Sequence, residues 1–262
     1  MSPSSLARRL LPWLLALMLW GCASAPETGR SQLMLIDHAE EARLGARGFA
    51  QIKRELPRAR DRAAQARVER IGRRIARVVE LPGARWEFVL FEDPSPNAFA
   101  LPGGKVGINT GILPIARTDA GLATVMAHEI AHVVARHGAE QRSQEMLAGL
   151  GAGLLSAVLG AQGVPGSDLA VQAYGVGAQL GVILPYSRAH ELEADRLGLF
   201  YMARAGYDPR EAIAFWQRFQ AASRGRAAPP EFLSTHPVDT TRLAQLRELL
   251  PEAEAIYVWK AR

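Results

Sequence analysis

His128-Glu129-Ile130-Ala131-His132 sets two histidines four residues apart, with a carboxylate directly after the first. On a helix such positions lie about 40° apart around the axis, so both imidazoles share a face and can reach one metal ion. Glu129 projects from the edge of that face, where its carboxylate can take a proton from a water held beside the ion and leave a nucleophile. This is hydrolytic chemistry, and the H-E-x-x-H spacing points to one zinc ion per chain. Thr118 or Asp119 offers a helix start and Gly138 a stop, while Val125, Met126, Ile130, Val133 and Val134 would bury the helix between them.

A catalytic zinc site takes three protein ligands and leaves a fourth position open. His137 is nearby but lies about 180° from His128 and about 140° from His132 around the axis, so it cannot join them. The pattern with a third histidine beyond a glycine also fails, because position 135 is Ala135. The missing ligand must come from a distant segment. Ser187-Arg188-Ala189-His190-Glu191-Leu192-Glu193-Ala194-Asp195 reads as a second helix with Ser187 as N-cap and Gly206 beyond its end. Glu191 and Asp195 share a face of it. Glu191 is read as the third ligand and Asp195 as the carboxylate that orients one of the histidines.

The remaining elements must hold these two helices together. Helices are predicted over 38–56, ended by Pro57, and from about Asp61 to Glu80, where Val68, Ile71, Ile75 and Val79 fall at helical spacing. Residues 85–113 alternate at period two and read as strands, with a hairpin through Gly103-Gly104. Residues 139–184 are rich in Gly, Ala and Leu and predict two short helices joined by a turn at Gly160 to Gly166. They serve as core, as a mobile wall over the cleft, or as a hairpin dipping into a membrane. Further helices are predicted from Asp208-Pro209 and from near Asp239, with a loop over Arg224 to Pro230.

The two motifs together, His128-Glu129-x-x-His132 and Ser187-Arg188-x-x-Glu191-x-x-Ala194-Asp195, resemble the gluzincin metallopeptidases related to the CAAX prenyl endopeptidases, in their bacterial periplasmic lipoprotein branch of BepA-like and LoiP-like proteins. Thr28-Gly29-Arg30 and Thr235-His236-Pro237 extend the resemblance over nearly the whole mature chain. It implies an α+β, mainly helical zincin-like domain over 37–262, with a small sheet whose edge strand borders the active site. It also implies an envelope endopeptidase with Glu129 as general base, acting on unfolded or misassembled outer-membrane proteins. Asn97, Ala98 and Ala100 would form the strand on which an extended substrate pairs. His236 would be a regulatory metal ligand. Arg242 and Tyr186 are candidates to stabilise the oxyanion. The competing function is a zinc-stabilised chaperone for the same clients that rarely cuts them.

Residues 1–21 carry Arg8 and Arg9 before an apolar run from Leu10 to Trp20, the pattern of a secretory signal. Leu19-Trp20-Gly21-Cys22 resembles a lipoprotein cleavage site, with Trp20 bulkier than usual, and Cys22 is the only cysteine. Lipidation there would tether the enzyme to a membrane, and Ala23-Ser24 after it favours the outer membrane by resemblance to sorted lipoproteins. Residues 22–36 are expected as a linker, with room for one strand over 26–36. The end of the chain at Arg262 leaves the expectation of no tetratricopeptide array. The net charge of +5 falls once Arg8 and Arg9 are removed. Mixed-sign runs such as Arg58 to Arg62 read as solvated faces, so no nucleic-acid partner is expected.

Overall fold

Capping side chains and apolar residues at helical spacing set most of the helices in the computed structural model, which describes residues 22–223 and 231–261. The leader expected over 1–21 and the loop expected over 224–230 lie outside the described residues. The fold is α+β and mainly helical. In chain order it comprises β1 (Cys22–Ser24), β2 (Ser31–Leu33), α1 (His38–Glu55), α2 (Arg62–Ala76), β3 (Glu87–Phe91), β4 (Ala98–Leu101), β5 (Lys105–Asn109), α3 (Leu113–Ala116) and α4 (Asp119–Val134). Then come α5 (His137–Ala161), α6 (Ser167–Ala178), a π-helical turn (Gln179–Ile183), α7 (Leu184–Arg204), α8 (Arg210–Ser223), α9 (Glu231–Thr235) and α10 (Thr240–Ala261). Two compact units emerge, one of His38–Ala135 with Arg188–Arg262, the other built around Arg136–Ser187 and the strands before Asp37.

In the larger unit, Asp61 accepts hydrogen bonds from the backbone N–H groups of Ala63 and Ala64 and starts α2. Thr118 does the same for α4 through Gly121 N–H. Val68, Ile71 and Ile75 are fully buried along α2, as the spacing predicts. Each large apolar side chain buried this way contributes roughly 1.5–3 kcal/mol. The sheet order is β3-β5-β4. β3 runs parallel to β5 with Phe88 opposite Val106, and β4 runs antiparallel to β5 with Ala98 opposite Ile108. The hairpin between β4 and β5 turns through Gly103 and Gly104, both at positive φ (80° and 81°), where side chains other than glycine's are strained. β4 is left as an edge strand.

α4 is buried along nearly its whole length, with His128 buried and His132 partly exposed. α7 crosses it at Gly198, where a Cβ would stand 3.0 Å from the backbone nitrogen of His128. Gly198 lies seven residues after Glu191, on the same face, and its missing side chain lets α7 bring that face against α4. Asp208 and Asp239 each accept a backbone N–H two or three residues on and so mark the starts of α8 and α10.

The smaller unit departs from expectation. Residues 22–36, read as linker, pair as an antiparallel hairpin, Cys22 opposite Leu33. Arg30 clamps Glu140 with two hydrogen bonds of 2.8 and 2.6 Å, Gln32 adds a third at 3.0 Å, and Ser143 Oγ accepts from Leu35 N–H. Arg30 and Gln32 therefore anchor the strands to α5. Gly138 does not end the motif helix; α4 ends at Val134 and the break falls at Arg136, in the left-handed region at φ 60°, whose guanidinium donates to the Ile36 carbonyl. α5 then runs for 25 residues instead of as a short helix. The second motif helix starts at Leu184, following the π-helical turn, rather than at a Ser187 cap.

Candidate active site

Every residue read as a ligand or base lies in the larger unit. His128 and His132 on α4 bring their Nε2 atoms to 3.1 Å. Glu191 on α7 sets Oε2 3.4 Å from His128 Nε2 and Oε1 3.3 Å from His132 Nε2. Donors about 2.0–2.1 Å from a tetrahedral zinc are separated by about 3.3 Å, so the spacings fit a shared ion. Two imidazole nitrogens facing each other this closely otherwise need a shared proton. The chemistry of the donor set, two nitrogens and a carboxylate, fits zinc equally well.

His236, on the turn after α9, completes the cluster. Its Nδ1 is 2.9 Å from Glu191 Oε1 and 3.4 Å from His128 Nε2, and its Nε2 is 3.5 Å from Glu129 Oε1. One ligand atom from each of His128, His132, Glu191 and His236 lies within 4.8 Å of the others. Phe232 packs against the His236 ring at 4.6 Å and Trp216 meets the His128 ring edge-on at 5.1 Å, which fixes both imidazoles from behind.

Electrostatics follow from burial. Burial raises the Glu129 carboxyl above its ordinary range, against the pull of His236 and His128 and a hydrogen bond from the Ala100 backbone. Glu129 Oε1 is buried without a hydrogen-bond partner, a group poised to accept a proton. For His128, burial alone would lower the pKa, but Asp195 and Glu191 carry it up to about 9. Burial would raise Glu191, yet His132 and its neighbours hold it far below the usual carboxylate range.

Asp195 stands where the helical spacing predicts, with Oδ1 3.1 Å from His128 Nδ1, at ion-pair distance though without hydrogen-bond alignment. Arg242 corrects its sequence reading as an oxyanion stabiliser. It is buried, and its fork donates to both Asp195 oxygens at 2.6 and 2.7 Å, while Nη1 donates to the Pro237 carbonyl and lies 2.8 Å from Glu191 Oε2. Its face stacks 4.6 Å from the Trp216 ring. With its donors committed in this way, Arg242 is a positioning residue. The side chains of Tyr186 and Cys22 lie outside those described. Ala98 is buried on β4, Ala100 is half-buried, and Asn97 precedes the strand, its Oδ1 accepting from Ala98 N–H. Sequence reasoning missed Gly198 and Trp216; the seven-residue step from Glu191 was the available signal for the first.

A buried helix carrying H-E-x-x-H, completed by a glutamate from a second helix, defines a metallopeptidase. The chain belongs to peptidase family M48, whose model matches residues 62–250. It is 42% identical over 183 residues to the mitochondrial metalloendopeptidase OMA1 of Saccharomyces cerevisiae, covering 68% of this chain and 50% of that protein. The Schizosaccharomyces pombe protein of the same name is 40% identical over 187 residues, 71% of this chain and 53% of that one. The beta-barrel assembly-enhancing protease of Escherichia coli is 28% identical over 249 residues, 90% of this chain and 51% of that one. The chain thus spans about half the length of these curated relatives. The comparisons also correct the location read from the sequence: against a lipid-anchored protein of the bacterial periplasm and outer membrane stand relatives at 40% and 42% identity that are mitochondrial by name.

Proposed function

We propose that this M48 chain is a zinc endopeptidase that cuts unfolded or misassembled polypeptides presented in extended form. One observation carries this: the buried Glu129 carboxylate, whose Oε1 makes no hydrogen bond, lies between the ligand cluster and the edge strand, near His236 on one side and hydrogen-bonded to the Ala100 backbone on the other. The narrower kinship with the CAAX prenyl endopeptidases rests on the Ser187 to Asp195 motif.

His128, His132 and Glu191 would hold the zinc, which when bound supplies Lewis acidity toward a water and the scissile carbonyl. An edge strand offers unpaired backbone groups, so an extended substrate can align along β4 with Ala98 and Ala100 leaving room for its backbone. Glu129 takes the proton of the attacking water at Oε1 and returns it to the departing amine. Asp195 fixes the orientation of His128, and Arg242 fixes Asp195. His236 occupies the remaining side of the cluster and acts as a latch that must withdraw before water and substrate enter.

Digestion of unfolded casein by the purified chain tests this, beside Glu129→Gln and His236→Ala. Cleavage by the native chain, none by Glu129→Gln with zinc retained, and faster cleavage by His236→Ala are expected. Undiminished cleavage by Glu129→Gln would overturn the assignment of the base. A zinc-loaded native chain that binds casein without cutting would instead favour the chaperone.

A further inference from the structure

From Met146 to Leu184 the chain carries a single charged side chain, Asp168. This stretch forms the distal part of α5, the turn, α6 and the π-helical turn. Water surrounds it. Of the fifteen large apolar side chains exposed among the described residues, twelve fall here, with Leu150, Leu154 and Leu180 each about 60% exposed and Leu169 at 70%. α5 is long and apolar enough to cross a membrane, and only 6% of its apolar window is buried within the protein.

The pattern distinguishes what covers this surface. A helix that docks on a protein or on a second copy of itself shows an apolar stripe of about 100° with a polar face behind it. On α5 the large apolar residues from Met146 to Leu159 spread over about 220° of the axis, and the remaining arc is glycine, alanine and one serine. A helix apolar all round belongs in a protein core or in lipid, and no core encloses this one. The two arms touch at Gly151, where an added Cβ would overlap the Tyr174 hydroxyl. Charge returns at the base, with exposed Arg142, and polarity at the tip, with Gln162 and Asp168.

We propose that residues 146–184 form a helical hairpin that inserts into a lipid bilayer, its base at the near headgroups. Each charge-free arm is sixteen residues, about 24 Å as helix, against about 30 Å of hydrocarbon. Modest thinning of the bilayer brings the tip, with Asp168, to the far headgroups.

The test uses the full chain with Cys22→Ser and one new cysteine, Leu154→Cys or separately Arg142→Cys, labelled with an environment-sensitive nitrobenzoxadiazole dye. Vesicles of phosphatidylcholine and phosphatidylglycerol are then added. The label at position 154 should shift to the blue, lose its quenching by aqueous iodide, and be quenched by a doxyl group deep in the acyl chain. At position 142 it should remain open to iodide. Because the readout is local, residues 1–21 cannot supply it. Adding Leu180→Asp should weaken the shielded state roughly tenfold or more. Unchanged iodide quenching at position 154 with vesicles present would overturn the proposal. Shielding that develops without lipid and grows with protein concentration would also overturn it, in favour of a second copy as the covering surface.

Discussion

Gly198→Ala places one methyl group between the two helices that make the metal cluster. The added Cβ would stand 3.0 Å from His128 N and 3.1 Å from His128 Cα, and both are backbone atoms of a buried helix that cannot swing aside. Relief requires α7 to retreat by a few tenths of an ångström. Overpacking of this kind costs about 1–3 kcal/mol, while replacing glycine by alanine inside a helix returns about 1 kcal/mol. A net loss of about 1 kcal/mol is expected, which in a domain of this size lowers Tm by about 2–4 °C. The effect on the metal should be larger in proportion. Glu191 rides on the retreating face, and ligand distances tolerate only about 0.2 Å. Competition with a chelator should show zinc affinity reduced roughly tenfold or more, with thermal unfolding followed by circular dichroism on the same samples. A substituted protein at least as stable as the native chain, with unchanged zinc affinity, would refute the idea that this contact sets the spacing of the site.

Further consequences follow from the buried charges. Arg242→Gln strips the partner from Asp195 and Glu191 and should destabilise the metal-free chain by about 3–5 kcal/mol in urea unfolding; a change under about 1 kcal/mol would mean the clamp is dispensable. His128, held at about 9 by Asp195 and Glu191, contributes stability to the metal-free chain that is complete below its unfolded value near 6.5 and fades as pH rises through 9. Zinc must displace that proton, so its affinity should climb across the same interval while the metal-free protein weakens. Isothermal titration in buffers of different ionisation enthalpy would report the released proton, and a pH-independent affinity between pH 6.5 and 9 would contradict it.

The grouping of His128, His132 and Glu191 was legible because helical spacing is rigid: once His128 and His132 share a face, His137 is excluded, and Glu191 with Asp195 offers a matching face elsewhere. Helix starts at Asp61 and Thr118 were legible for the same local reason, a side-chain oxygen within reach of free N–H groups. What could not be read was non-local or carried by an unusual residue. Arg136 breaks the helix in a conformation where glycine is expected, so Gly138 drew the boundary two residues late. The parallel pairing of β3 with β5 joins segments about eighteen residues apart and leaves no periodic trace. Arg242 reads as an oxyanion candidate from the sequence because only the fold brings it onto Asp195, 47 residues away. The apolar run after Glu145 offered core, wall or membrane hairpin, and only its exposure separates them.

Zinc content measured by mass spectrometry after dialysis against a fixed low level of free zinc tests the central claim most directly, for the native chain beside Glu191→Gln. About one ion per native chain is predicted, with far less in the variant while its circular dichroism is unchanged. Full zinc occupancy in Glu191→Gln, or none in the native chain, would contradict the assignment of His128, His132 and Glu191 as a metal site.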